Sequence, residues 1–366
     1  MSDLSSHRIA RIELSELVSK YPRTVGRNSH LGSHGNGPGT PIAIIHTDQG
    51  AIGWGIIRGT PPSTSEPLLG RPLADLFDPG IGVIDQQAES LDFALHDLAG
   101  VVLDQPVYQM LGAAGDTVVP CYDGAIYMDD LDPESAPRGI DAVLENCASD
   151  YQLGYRSFKL KVGRGFKWMN EIEGLRRDID VTRAVHERFP DCPILVDANN
   201  GYTGNGFLEY LDGVRDCDLF WVEEPFQESL AGLISLRRYL NHHSPDTLIA
   251  DGELKPDIPF LLELAQGNLL DVLLMDIVSL GLTQWRRLMP KLQEIGVHAS
   301  PHAWGVPLKT LYTAQLAAGL GNVPIVESVP GTTVGVDTSV YRLEEGNLHV
   351  PSKPGFGLAV PAEARD

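Results

Sequence analysis

A chain of 366 residues, 43 % hydrophobic and 21 % charged, has the length for one large folded unit or two and the composition of a soluble globular protein. Its 49 acidic and 28 basic residues leave a net charge of −21, which repels phosphate backbones and anionic lipid, so nucleic acid and membranes are set aside as partners. Cys121, Cys147, Cys192 and Cys217 are scattered with no C-x-x-C pair, the pattern of reduced thiols in the cytoplasm rather than a disulfide frame or zinc knuckle.

The opening MSDLSSHRIARIELSELV lacks a basic segment followed by an unbroken apolar run, and LLDVLLMDIVSLGL is too short to span a bilayer and carries two aspartates. RIARIELSELV and TPIAIIHTDQGAIGWGII alternate as strands do, with a D-Q-G turn marking a hairpin. Between them, SKYPRTVGRNSHLGSHGNGPG is a loop of a length that is either functional or disordered. VIDQQAESLDFALHDLAGVVLDQPVYQMLG has the three and four spacing of helices and completes an α+β unit over residues 1–115. Eight short apolar runs then recur across residues 116–330: VVPCYDGAIY, SFKLKV, CPILVDAN, LFWVEEP, TLIADGE, DVLLMDI, VHASPHA and PIVES. Helical stretches such as EGLRRDIDVTRAVHERF and LKTLYTAQLAAGLG separate them. That rhythm predicts a parallel (β/α)8-type, TIM-like barrel. A doubly wound open sheet is the alternative, without a G-x-G-x-x-G turn after an early strand to support it. Residues 331–366 contain VYRLEEGNLHVPSKPGFGLAV, which reads as a hairpin returning to the first unit.

In SFKLKVG, Lys159 and Lys161 are two apart on a strand and face one side, roughly 6.6 Å apart. Two ammonium groups there repel and lose hydration if buried, so core packing does not account for them; alone, the stretch reads as a strand with a wet face. The following strands finish in carboxylates: ILVDAN at Asp197, WVEEP at Glu223 and Glu224, IADGE at Asp251 and Glu253. One strand-end aspartate is commonly a helix cap. Three successive ones converge on one barrel mouth, where their repulsion calls for a cation. Oxygen ligands without Cys or His fit a hard ion, Mg²⁺ before Mn²⁺. VLLMD then ends in Asp276 and HASPH in His302, a carboxylate able to fix an imidazole's tautomer. His298 reads as a packing residue, and PIVESVPG points Glu327 at the same mouth. A metal-bound carboxylate acidifies its neighbouring carbon, and Lys161 can be the base if Lys159 and the cation depress its pKa.

Taken together, these residues resemble the enolase superfamily, and within it the mandelate racemase-like subgroup. The resemblance rests on K-x-K at Lys159 and Lys161, D-A-N at Asp197 to Asn199, E-E-P at Glu223 to Pro225, G-E at Glu253, Asp276, SPHAWG around His302 and ESVPG at Glu327. It implies a barrel under an α+β capping domain that the C-terminal tail completes. It also implies Asp197, Glu223 and Glu253 as Mg²⁺ ligands, Lys161 as base for one configuration at the α-carbon, and His302 with Asp276 for the other. Lys159 would touch the substrate carboxylate, and Glu327 would hydrogen-bond it as it becomes an enediolate. Related subgroups use the position of Asp251; G-E accompanies the His-Asp dyad and favours Glu253.

Two bases allow dehydration of an acid sugar to a 2-keto-3-deoxy product, or racemisation and epimerisation of a 2-hydroxy acid. Dehydration is the leading expectation, from the subgroup and from a polar capping loop holding Arg23, Arg27, Asn28, His30 and His34. Of these, Arg23, His30 and His34 are candidates to touch substrate, as is Asn199. A non-catalytic regulatory protein on an inherited barrel is the rival from another class, and the intact set of ligands and bases argues against it. A small-molecule carboxylate is the expected ligand, and the family implies a symmetric homo-oligomer.

Overall fold

The computed structural model describes residues 3–60, 66–253 and 256–361. Strands β1 (Ile9–Lys20), β2 (Gly39–Thr47) and β3 (Ile52–Ile56) form the antiparallel sheet that the alternating sequence calls for. Gly53 and Gly55 alternate along β3 because helix α1 (Asp92–Leu103) lies directly on its backbone. A Cβ at Gly53 would come within 2.3 Å of the Leu98 nitrogen, and one at Gly55 within 2.7 Å of the Phe93 Cβ. A short hairpin of β4 (Phe77–Asp78) and β5 (Gly82–Val83) precedes α1, and α2 (Val107–Leu111) follows it.

All eight apolar runs form strands: β6 (Val118–Ile126), β7 (Phe158–Lys161), β8 (Ile194–Asp197), β9 (Trp221–Glu223), β10 (Leu248–Asp251), β11 (Val272–Leu273), β12 (His298–Ala299) and β13 (Val326–Ser328). They pair in parallel in chain order from β6 to β12, and β13 pairs with the free side of β6. Between β12 and β13 there is no ladder. Their neighbourhood is joined by the Ser300 hydroxyl donating to the Ile325 carbonyl at 2.7 Å and the Ala299 N–H to the Asn322 carbonyl at 3.1 Å. Helices α3 (Ile140–Gln152), α4 (Glu171–Arg188), α5 (Gly204–Gly213), α6 (Leu230–His243), α7 (Ile258–Gln266), α8 (Ile277–Leu280), α9 (Leu282–Glu294) and α10 (Pro307–Leu320) fill the crossovers.

A parallel sheet covered on both faces has two apolar cores. Tyr122, Leu195, Trp221, Ala250, Val272, Leu274 and Ile325 form the smaller one, distinct from the large core that includes the helices. Strand register then places the chemistry. Lys159 aligns with Leu195 and Trp221, members of that small core, while Lys161 aligns with Asp197 and Glu223 one step nearer the carboxyl ends. The charged row therefore caps the apolar row.

The tail departs from expectation. Its hairpin, β15 (Arg342–Glu344) and β16 (Asn347–His349), pairs with the start of β6 and not with the first sheet. Contact with the N-terminal unit is made on either side of it: β14 (Thr332–Thr333) pairs with the end of β1, and Gly355 and Phe356 dock on α1. Asp97 is the pin. Its buried carboxylate accepts the Trp54 N–H at 2.9 Å and the Phe356 N–H at 2.8 Å, and burial pushes it up to about 7 despite those bonds. Asp97→Ala strands both donors and should cost about 2–4 kcal/mol in urea unfolding. A raised carboxylate pKa contributes stability below its ordinary range and loses it as pH climbs through about 7, so the deficit should narrow between pH 5 and 8.

Candidate active site

Lys159 and Lys161 are 1 % and 4 % exposed, which rules out a strand with a wet face. Lys159 Nζ lies 2.9 Å from Glu223 Oε1, 2.9 Å from Glu327 Oε1 and 3.6 Å from Asp197 Oδ2. Lys161 Nζ donates to Asp197 Oδ2 and, at 3.0 Å, to Asn199 Oδ1. The depression of Lys161 expected from Lys159 and a bound cation together is not achieved by Lys159 alone. Burial and Lys159 press it downward, but Asp197, Tyr127 and Glu253 together outweigh them and hold the ammonium above its ordinary range. Acidic neighbours thus dominate this mouth.

Carboxylate oxygens of Asp197, Glu224 and Glu253 lie within 4.8 Å of one another, an all-oxygen cluster of the kind a hard cation takes. Glu253 Oε2 is buried without a hydrogen-bond partner, which fits a ligand to an ion. Glu223, the expected middle ligand, is placed differently in this arrangement: Oε1 is on Lys159, and Oε2 accepts from the Trp221 indole at 3.1 Å. It still faces the cluster. Burial and then Asp197, with Glu253 contributing, push its carboxyl well above the usual range. Glu224 has a left-handed φ of 39° and its Oε1 accepts the Glu253 N–H at 3.1 Å, so it also pins the next strand's ligand. Asp251 faces away. Burial foremost, and then the charges of Glu224 and Glu228, drive its carboxyl well up.

His302 and Asp276 meet as the sequence implies, Nδ1 to Oδ2 at 3.0 Å. Asp276 is not a strand end, because β11 stops at Leu273; it is the N-cap of α8, its Oδ1 accepting the N–H groups of Val278 and Ser279. His302 Nε2 lies 3.2 Å from Glu253. Burial opposes the imidazolium, but Glu253, Glu327 and Asp276 raise it to about 10. Lys309, not foreseen, sits 2.6 Å from the same Asp276 oxygen, Oδ2, that meets His302. Glu327 is fixed by the Ala303 N–H at 2.6 Å, and Gly124 leaves it room, since a Cβ there would approach Glu327 Oε1 to 2.6 Å. His298 is bound to Asn322, away from this group.

The loop between β1 and β2 is ordered and tied to the barrel loops. Ser29 donates to the Ala198 carbonyl at 2.8 Å, the Trp168 indole to the Asn28 carbonyl at 2.6 Å, and Lys167 to the His30 carbonyl at 2.7 Å. Arg23 does not reach the cluster; it forms an ion pair with buried Asp150, and Arg27 pairs with Asp132. His30 stacks on Phe166, 4.3 Å between centroids. Among the loop's candidates only His34 is close enough for Lys161 and Glu253 to act on it.

A model of the enolase C-terminal domain-like family matches residues 142–364, well over half the chain. The chain belongs to the enolase superfamily. Among solved structures of the superfamily, galacturonate dehydratase from Geobacillus sp., complexed with D-galacturonate and 5-keto-4-deoxy-D-galacturonate, is 36 % identical over 98 % of this chain and 95 % of its own, with a TM-score of 0.90. A mutant of the same enzyme complexed with Mg superposes at 0.92, with 34 % identity over 98 % and 94 % of the two chains. D-xylonate dehydratase of Haloferax volcanii is 25 % identical over 77 % of this chain and 69 % of its own. The enolase superfamily fold is a TIM barrel beneath an N-terminal capping domain, which accounts for the two sheets and the loop between them.

Glu253→Gln should weaken Mg²⁺ binding by about tenfold or more in calorimetric titration, because it removes charge from the cluster, whereas Asp251→Asn should change it little. The reverse order would move the third ligand to Asp251. The same titration on Glu223→Gln and Glu224→Gln decides between adjacent carboxylates; the larger loss is expected at Glu223, which lies in register with Asp197.

Proposed function

We propose that the chain is an Mg²⁺-dependent acid sugar dehydratase that removes the proton α to a carboxylate and expels the β-hydroxyl, leaving a 2-keto-3-deoxy acid. The observation that carries this is one mouth in which a carboxylate cluster lies between a buried lysine and a carboxylate-held histidine. The eight strands are read as a closed barrel over residues 116–330, capped by residues 1–115, with residues 331–366 bridging the two. Relatives named as dehydratases of xylonate, gluconate, galactonate and arabinonate support the reaction class. The 5-keto-4-deoxy product bound to the Geobacillus enzyme is the same chemistry, with the keto and deoxy carbons α and β to the carboxylate. Four free, buried cysteines support a reducing, cytoplasmic setting.

Bound by Asp197, Glu223 and Glu253, Mg²⁺ would supply the positive charge that stabilises an enediolate and would occupy carboxylates that otherwise engage the lysines. Lys159 then orients the substrate carboxylate, with Glu327 at its side to share a hydrogen bond. With Asp197 engaged by the cation, Lys161 would lose its ammonium proton to solvent, and its neutral amine then takes the α-proton as the C–H electron pair moves toward the carboxylate. His302, held by Asp276 and protonated by its acidic surroundings, gives its proton to the β-hydroxyl, which leaves as water. The resulting enol becomes the ketone. If protonation at the α-carbon replaced loss of the hydroxyl, the same two groups would epimerise it.

Mono- and diacid sugars incubated with Mg²⁺ and assayed for keto product should give turnover of at least one. Lys161→Met should lower that turnover by about a thousandfold or more while calorimetric Mg²⁺ affinity stays near wild type. Undiminished activity would remove Lys161 from the role of base, and inversion without keto product would replace dehydration by epimerisation.

A further inference from the structure

Lys309 is a cation where the local structure does not call for one. It is the third residue of α10, in a first turn without a side-chain cap, and a positive charge there opposes the helix dipole. Its side chain is only 16 % exposed, a burial that lysine accepts when paired. Two acceptors take its ammonium. One is Asp276 Oδ2 at 2.6 Å, and the other is the Trp304 carbonyl at 3.2 Å, two residues beyond His302. A single side chain therefore ties the start of α10 to the N-cap of α8 and to the segment that follows β12.

Asp276 has little freedom left once Lys309 is counted. Oδ1 accepts the N–H groups of Val278 and Ser279 at 2.9 and 2.8 Å, whereas Oδ2 meets His302 Nδ1 at 3.0 Å. The main chain of His302 is fixed as well: its N–H donates to the Leu274 carbonyl and its own carbonyl accepts the Ile277 N–H, each at 3.0 Å. What those bonds leave open is the tilt of the carboxylate about its anchored oxygen, and with it the imidazole that Oδ2 steers. One bond from the ring leaves that tilt soft; a charge-assisted bond from a second donor stiffens it. His302 Nε2 is then directed at the carboxylate cluster, 3.2 Å from Glu253.

We propose that Lys309 is a positioning residue for proton delivery to the β-hydroxyl, its ammonium clamping Asp276 Oδ2 and the Trp304 carbonyl so that the His302 ring keeps its aim into the mouth. The proposal rests on the dehydratase reading of this site. Lys309 gives no proton itself and acts only through Asp276. Because Lys161 works from β7, a different strand, removal of the clamp should disturb one proton transfer and spare the other.

Lys309→Met keeps the length of the side chain and deletes the charge, whereas Lys309→Arg restores a cation able to reach two acceptors. Each is compared with wild-type protein and Mg²⁺ in D₂O on whichever of D-galacturonate, D-galactonate and D-xylonate is turned over fastest, proton NMR following keto product and the α-proton signal separately. For Lys309→Met the expected result is a fall of about 10- to 100-fold in kcat for keto product, with KM within about twofold. Loss of the α-proton signal should stay within about fivefold of wild type, as deuterium returns to substrate that fails to eliminate. Lys309→Arg should recover part of the product rate, and Lys309→Met should cost nothing further in a His302→Asn protein, since both act through one ring. Equal falls in product and in α-proton loss, an unchanged kcat, or a further fall on the His302→Asn background would overturn the positioning role and leave the dehydratase standing. Wild-type protein inert toward all three acids would overturn the dehydratase reading first, and the role of Lys309 with it.

Discussion

Asp197, Glu223 and Glu327 are buried together, with Glu253 facing them, and their repulsion in a place that water barely reaches is the condition the rest of the mouth answers to. Each cationic group nearby is drawn into that field. Lys159 bridges Glu223 and Glu327, Lys161 lies on Asp197, and His302 stands between Glu253 and Asp276. Burying so many charges is tolerable only when they are paired, and it does little for stability in itself. Its value is chemical: a cation and a substrate carboxylate can exchange partners with groups that are already charged and already placed. The register of β7, β8 and β9 sets this up, because it brings Lys161, Asp197 and Glu223 to one level above an apolar row that excludes water from below.

The succession of parallel strands was legible because each is a short apolar run between helical stretches, and because charges that cannot belong to a core recur at the run's end. Lys159 and Lys161 announced themselves in that way, as did Asp197 and the Asp276 and His302 pair. Finer choices were not legible. Glu223 and Glu224 are adjacent in sequence, and the left-handed backbone at Glu224, invisible in the sequence, goes with its place in the cluster while the Glu223 oxygens meet Lys159 and Trp221. The state of Lys161 was only partly legible: Lys159 and a cation were weighed as depressing it, whereas Asp197, Tyr127 and Glu253, brought together by the fold, act on it in the other direction. Lys309 carries no motif and becomes relevant only when the start of α10 is brought against Asp276.

Long-range folding also decides what the capping loop does. Composition marked residues Arg23, His30 and His34 as polar alike, yet Arg23 serves Asp150, His30 lies on Phe166, and His34 is left beside the bases. The tail hairpin misled similarly, since an alternating pattern shows that a strand has a partner and not which one; the open edge of β6 takes it. Ser29, Asn28 and His30 fasten the loop to the barrel at Ala198, Trp168 and Lys167, so the cap and the catalytic strands form one continuous surface.

Through a divalent cation, the carboxylate cluster makes the carbon next to a substrate carboxylate acidic. Proton NMR of a sugar acid such as D-galacturonate in D₂O measures this at the carbon concerned, by loss of the α-proton signal with metal-stripped protein and again after Mg²⁺ is restored. No exchange is expected in the stripped protein, and rapid exchange or elimination once Mg²⁺ is added. Exchange at the same rate with and without the metal would contradict it.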